Sequence, residues 1–212
     1  MSRMPAAERR EQLLDCAAEL FARRGYARAT TSQLAKAAGV TEPIIYRHFS
    51  SKRDLFVALI ERAGQRTLEQ WEQHLAGAED PADRLRRLIG DNPMVQSEGR
   101  DVYRVFLQAI SEVESDEKIA AAVRAHIDNV KAFLERELDN AQRHNRVPKR
   151  FSSEVLAWVM INVGMGYGVL SALGLDDHGR DASGVHVQDV IARAIVVRQP
   201  DEGGRNRGDN AG

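Results

Sequence analysis

Residues 30–52 read TTSQLAKAAGVTEPIIYRHFSSK, and this stretch decides the fold. Leu34, Ala35 and Ala38 recur at helical spacing behind Thr31, which reads as an N-cap, and the run stops at Gly39. A second short helix starts after Thr41, another capping residue. It has Pro43 in its first turn, carries Ile44, Ile45 and Tyr46, and ends near Phe49. Two short helices about Gly39-Val40 suit the tight turn of a helix-turn-helix, where Gly39 takes a backbone angle that other residues resist. Leu34, Ala35, Ala38, Val40 and Ile44 are expected to pack the pair onto a preceding helix. Thr41, Glu42, Pro43, Tyr46, Arg47 and His48 are left facing outward. They are donors, acceptors and a flat aromatic, which suit a DNA groove better than a core.

Working outward, the preceding helix carries Leu13, Leu14, Ala17, Leu20 and Phe21 on one face and stops at Gly25, where a left-handed C-cap is expected. Cys16 lies one turn from Leu13 and Leu20 and reads as a small core residue. On the other side, Ser51 caps a long helix with Asp54 at its third position, a variant of the capping box. Its apolar positions are Leu55, Phe56, Leu59, Ile60, Ala63, Leu68, Trp71 and Leu75. Residues 77–81 read as a loop, and helices follow at about 82–90, 100–113 and 116–144. The last is strongly amphipathic, with Ile119, Val123, Ile127, Val130, Phe133, Leu134, Leu138 and Ala141 at three- and four-residue spacing. Ser152 or Ser153 caps a helix running to about Leu173 that is apolar on nearly every side. Residues 174–184 are a polar loop, and a final helix covers about 185–198. The tail from Pro200 has almost no apolar residue to hold it and reads as disordered. The expectation is an all-α chain of about nine helices: a helix-turn-helix domain over 1–52, a helical ligand-binding and dimerisation domain over 53–199, and a tail over 200–212.

Composition agrees. Of 212 residues, 43% are hydrophobic and only 6% aromatic, and runs of alternating β-branched residues are missing. The net charge of −1 conceals a split. Ten Lys and Arg stand against six Asp and Glu in residues 1–55, which leaves twenty against twenty-five in the remainder. A basic N-terminal module on an acidic body suits a polyanion at one end only. No run of 18 apolar residues is present, so no membrane span is expected. The opening MSRMPAAERREQ has no apolar leader segment, and a lone cysteine fits a reducing cytoplasm.

The segment resembles the DNA-binding domain of the tetracycline-repressor (TetR) family. The resemblance rests on Phe21, Gly25-Tyr26, Thr30-Thr31, Leu34-Ala35, Ala38-Gly39-Val40, Tyr46, His48-Phe49 and Lys52, in the family's order and spacing. It covers roughly residues 8–60. It implies that Thr31, Tyr46 and His48 contact phosphates and that Lys52 adds its charge to a helix N-terminus at another phosphate. Thr41, Glu42, Pro43 and Ile45 occupy positions that usually meet base edges, and Ser32 stands where some members place a longer base-reading side chain. Glu42 reads equally well as a carboxylate complementing its helix dipole.

The resemblance also implies a homodimer on two-fold-related, palindromic operator DNA and a small-molecule effector. In the apolar helix, Met160, Gly164, Gly168 and Ala172 recur every four residues. With Val187, Ile191, Ala194 and Ile195 of the last helix they suit a four-helix dimer interface. A second stripe, Trp158, Asn162 and Met165, with Tyr103, Phe106 and Phe133, suggests a pocket for a mostly apolar ligand. No enzyme, cofactor or metal pattern is found: there is no Gly-rich phosphate loop, no nucleophile elbow and no zinc helix, and only His178 and His186 fall close together. The reading is a cytoplasmic, ligand-released repressor. Its alternatives are a regulator controlled by a protein partner and an activator.

Overall fold

A computed structural model describes residues 4–90, 99–175 and 179–196, with side chains in the sixth helix described from Arg104 on. Among the described residues there are nine helices and no strand. They are α1 (Ala6–Arg24), α2 (Thr31–Ala37), α3 (Glu42–Tyr46), α4 (Lys52–Leu75), α5 (Pro81–Gly90), α6 (Gly99–Glu112), α7 (Glu117–Arg143), α8 (Ser153–Ala172) and α9 (Val187–Ile195).

Helix α1 buries Leu13, Leu14, Ala17 and Phe21 and ends at Gly25, whose φ of 77° is open to glycine at no steric cost. Cys16 is partly buried, and burial, with Glu19 and Asp15 nearby, pushes its thiol pKa up, away from reactivity. The cap of α2 is Thr30, one residue earlier than the sequence suggests. Thr30 accepts from the Gln33 N–H and the Gln33 side chain returns a bond to the Thr30 N–H, so the box closes only in that register. Thr31 therefore stands as the first helical residue, with its hydroxyl free of capping. Gly39, at φ 65°, makes the turn into α3. At α4, Ser51 accepts from the Asp54 N–H at 3.0 Å, while its hydroxyl donates to the Asp54 carboxylate at 2.9 Å.

Two apolar clusters divide the interior, and the division falls within α4 rather than at its start. One joins α1–α3 and the first turns of α4 to Val105, Phe106 and Ala109 of α6 and Ile119, Ala122 and Val123 of α7. Phe21, Tyr26 and Phe56 form its aromatic centre, with Tyr26 stacked on Phe56 at 4.3 Å. The other takes Trp71 and Leu75 of α4 with α5, the C-terminal half of α7, α8 and α9. Polar bonds reinforce the joint between the DNA-reading end and the body. Gln108 of α6 donates to the Phe21 carbonyl (2.9 Å) and accepts from the Tyr26 N–H (3.1 Å). Lys118 and Asp116 pair with Asp54 and Arg53.

One boundary needs correction. The last helix is shorter than 185–198: His186 caps it in a box with Asp189, and it ends at Ile195. Helix α8 reaches a mean hydropathy of 1.6 over an 18-residue window, long and apolar enough by length and composition alone to cross a membrane, a test that the core helix of a soluble protein also passes. Its apolarity is spent on two faces, one packed inward and one exposed along Val155, Trp158, Val159, Leu170 and Leu173.

Candidate nucleic-acid interface and internal cavity

Helix α3 has only five residues, so one decides everything: which of the adjacent isoleucines turns inward. Ile45 is 1% exposed in the α1–α4 core, and Ile44 is half-buried. Ile45 therefore cannot meet a base edge, contrary to its assignment from the family pattern. Its neighbour Tyr46 is 49% exposed. Thr41, Pro43 and Arg47 are exposed, and so is Ser32 of α2; His48 is half-buried, tilted beside Phe49.

The outer face is internally bonded. The Thr31 hydroxyl donates to Glu42 Oε2 at 3.0 Å and lies 3.2 Å from the Tyr46 hydroxyl. Thr31 has one hydroxyl proton, and Glu42 holds it, so in the contact between the two hydroxyls Tyr46 donates to Thr31. Lys52 is committed as well. Its ammonium reaches the carbonyls of Tyr26, Ala27 and Ala29 at 3.0, 3.4 and 3.1 Å and sits 4.4 Å over the Tyr26 ring. It ties the α1–α2 loop to the start of α4 while leaving its charge at that helix end.

In the body, a cavity of about 120 Å³ lies among α4, α5, α6, α7, α8 and α9. Phe106 and Met165, expected in a pocket, line it. Three other expected wall residues do not. Phe133 is packed in the core against Trp71 at 5.3 Å. Trp158 is 41% exposed on the outer face of α8, and Asn162 beside it donates to the Trp158 carbonyl at 2.8 Å, so its amide is satisfied within its own helix. The Tyr103 side chain lies outside the described residues, as do His178 and the segment from residue 197 on.

The stripe expected at the dimer interface is also turned inward in part. Met160, Gly164 and Ile191 line the cavity, Gly168 is buried and Ile195 belongs to the core; Ala172, Val187 and Ala194 are exposed. Trp158 and Asn162 of one stripe thus face outward and Met160, Gly164 and Gly168 of the other inward, while Met165 and Ala172 stand as expected. A helix apolar all round contains no polar face to set its rotation, so only its neighbours could do so.

Most of the wall escaped the sequence reading, including Thr67 and Trp71 of α4, His126 of α7, Tyr167 of α8 and Gln188 of α9. The available signal was His126, which interrupts the buried row between Val123 and Val130. Its ring meets the edge of Phe106 at 5.4 Å, and burial lowers its pKa, which favours the neutral imidazole.

The reading pair α2 and α3, packed on α1 and the first turns of α4 and joined by that long helix to a helical body with a cavity, has the arrangement of a helix-turn-helix DNA-binding domain. The family of bacterial regulatory proteins, tetR family, matches residues 13–59. Residues 13–59 are thus a DNA-binding domain of the tetR family. The chain is 40% identical over 88 residues to the transcriptional activator FasR of Mycolicibacterium smegmatis, which covers 42% of this chain and 40% of that protein. It is 45% identical over 80 residues to the nucleoid occlusion factor SlmA of Marinobacter nauticus, covering 38% and 41%. The match thus spans about two-fifths of the length of these curated relatives. The fold is shared more widely: a transcriptional regulator of Saccharomonospora viridis, solved in complex with choline, superposes with a TM-score of 0.75 at 22% identity over 91% of this chain and all of that one.

Proposed function

We propose that the protein is a cytoplasmic, homodimeric repressor that leaves its operator when a small, mostly apolar ligand fills the cavity. The observation that carries this reading is the continuity of α4. Its first turn holds Lys52 against the α1–α2 loop, and its later turns give Thr67 and Trp71 to the cavity wall. An unbroken helix of 24 residues spans about 36 Å, so one rigid element touches both sites. A ligand that binds only the arrangement with displaced recognition helices lowers DNA affinity by its differential binding energy.

On the DNA, Tyr46, Arg47 and His48 hold phosphates, and Thr41 and Pro43 meet base edges with Ser32 nearby. The dimer forms through the exposed face of α8 and the outer residues of α9, which places two recognition helices about 34 Å apart. The similarity to FasR favours a second reading, in which the bound protein activates rather than represses. The site of binding is common to both. As a family, such regulators act by binding rather than catalysis.

The test is fluorescence anisotropy on the DNA upstream of its own gene, across a salt series, for wild type, Tyr46→Ala and Arg47→Ala. Tight, salt-dependent binding that both variants lose supports the reading. Binding to that DNA that neither variant weakens sinks the assigned face.

A further inference from the structure

Among the described residues, the cavity walls hold no Asp, Glu, Lys or Arg. An ion entering would give up its hydration with no countercharge to replace it. The polar side chains in the wall are few, and they are not equivalent. Thr67 already donates its hydroxyl proton to the Ala63 carbonyl at 2.9 Å. His126 differs: among the described residues, no hydrogen bond or ion pair holds its imidazole, which is fixed by packing against Phe106 and the backbone at Gly64. Its Nδ1 lies against Gly64, so Nε2 is the nitrogen left for a ligand; donor or acceptor according to the tautomer, it suits a hydroxyl, which can give or receive. A space of about 120 Å³ sets the size, since a dry cavity of about 150 Å³ accepts benzene.

Resting on the reading of this cavity as the effector site, we propose that its ligand is a small uncharged hydroxy compound with an apolar body of about one ring, whose hydroxyl is received by His126. The apolar body lies among Phe106, Val130 and Met165.

The probes are phenol, toluene, benzoate and choline, titrated into the free full-length protein by calorimetry. Phenol and toluene differ by one hydroxyl at nearly constant shape. Phenol is expected to bind about three- to tenfold tighter than toluene, the worth of one hydrogen bond, with benzoate and choline weaker than both. In His126→Phe, toluene keeps its affinity and the preference for phenol disappears. A readout on the unaltered protein uses histidine-labelled NMR: one imidazole among the six shifts with phenol and stays in place with toluene. Toluene binding as tightly as phenol, choline binding tighter than phenol, or a phenol preference that survives in His126→Phe each overturns the proposal. The two readings fail separately. Phenol binding as expected without any change in operator affinity leaves the ligand class standing and sinks the effector role of the cavity. Operator release by any of these probes without the phenol preference does the reverse.

Discussion

The imidazole of His126 on α7 is seated against Gly64 on α4 with no room for a side chain between them: a Cβ at Gly64 would stand 2.6 Å from Nδ1. Glycine in mid-helix costs about 1 kcal/mol relative to alanine. Here it lets a cavity-lining ring touch the backbone of the helix that carries the DNA-reading end. Gly64→Ala sets that propensity gain against an overpacking cost of about 1–3 kcal/mol. We expect a net loss of stability in urea titration and a weakened operator affinity, with stability restored in the double variant Gly64→Ala/His126→Ala. A single variant more stable than wild type would show that the contact yields easily and transmits nothing.

Adjacent residues of α3 should separate fold from function. Ile45→Ala empties a core site and should cost about 2–4 kcal/mol of stability. Tyr46→Ala removes an exposed ring and should change stability by less than about 1 kcal/mol while weakening operator binding at least tenfold. Thermal melts paired with anisotropy measure both quantities. Equal stability losses in the two variants would contradict the rotation of α3.

Lys52 should behave as a structural cation. Its ammonium meets three carbonyls of one loop, and hydrogen bonds to a charged group contribute about 1.5–3 kcal/mol each when buried and less at this half-exposed site. Lys52→Met should lower the melting temperature and loosen residues 26–29, seen as faster amide exchange there. A variant with wild-type exchange but weaker DNA binding would instead make Lys52 a phosphate contact only.

The buried carboxylate Glu137 links stability to pH. Burial acts to raise its pKa, but the Arg84 bonds at 2.6 and 3.1 Å, and then Arg136, prevail and hold it below the ordinary 4.5. Its folded pKa is depressed, so the stabilisation is fully present above the unfolded value and is lost as pH falls through the folded one. Glu137→Gln should flatten the acid limb of stability in urea titrations below pH 4.5. Arg84→Met leaves the carboxylate buried and unpaired and should cost about 3 kcal/mol at pH 7, the low end for such a break because part of Arg84 is accessible. An acid limb identical in wild type and Glu137→Gln would rule the coupling out.

The exposed row of α8 should form the dimer. Val159→Glu and Leu170→Glu place charges on that face without touching the cavity wall. Sedimentation velocity should show monomers with a wild-type helical spectrum. Dimers that persist in both would move the interface elsewhere.

The helices were legible in the sequence because local chemistry makes them. Gly25, Ser51, Asp116 and Ser152 stand at helix ends whatever the tertiary packing, and the apolar spacing of α1, α4 and α7 marks their buried faces. The segment around Gly39 was legible too, since its turn and its flanking residues are contiguous. Rotation was not. In α3, two identical isoleucines stand side by side in five residues, too few for a period to tell Ile44 from Ile45. In α8, apolar residues on all sides leave the inner and outer stripes indistinguishable until α7 and α9 pack against one of them. The cavity depended on still longer reach: His126 belongs to its wall because Gly64, far away in the chain, lets two helices meet. Spacing along the chain determines which residues share a face, and only the packing of one helix on another decides which way that face turns.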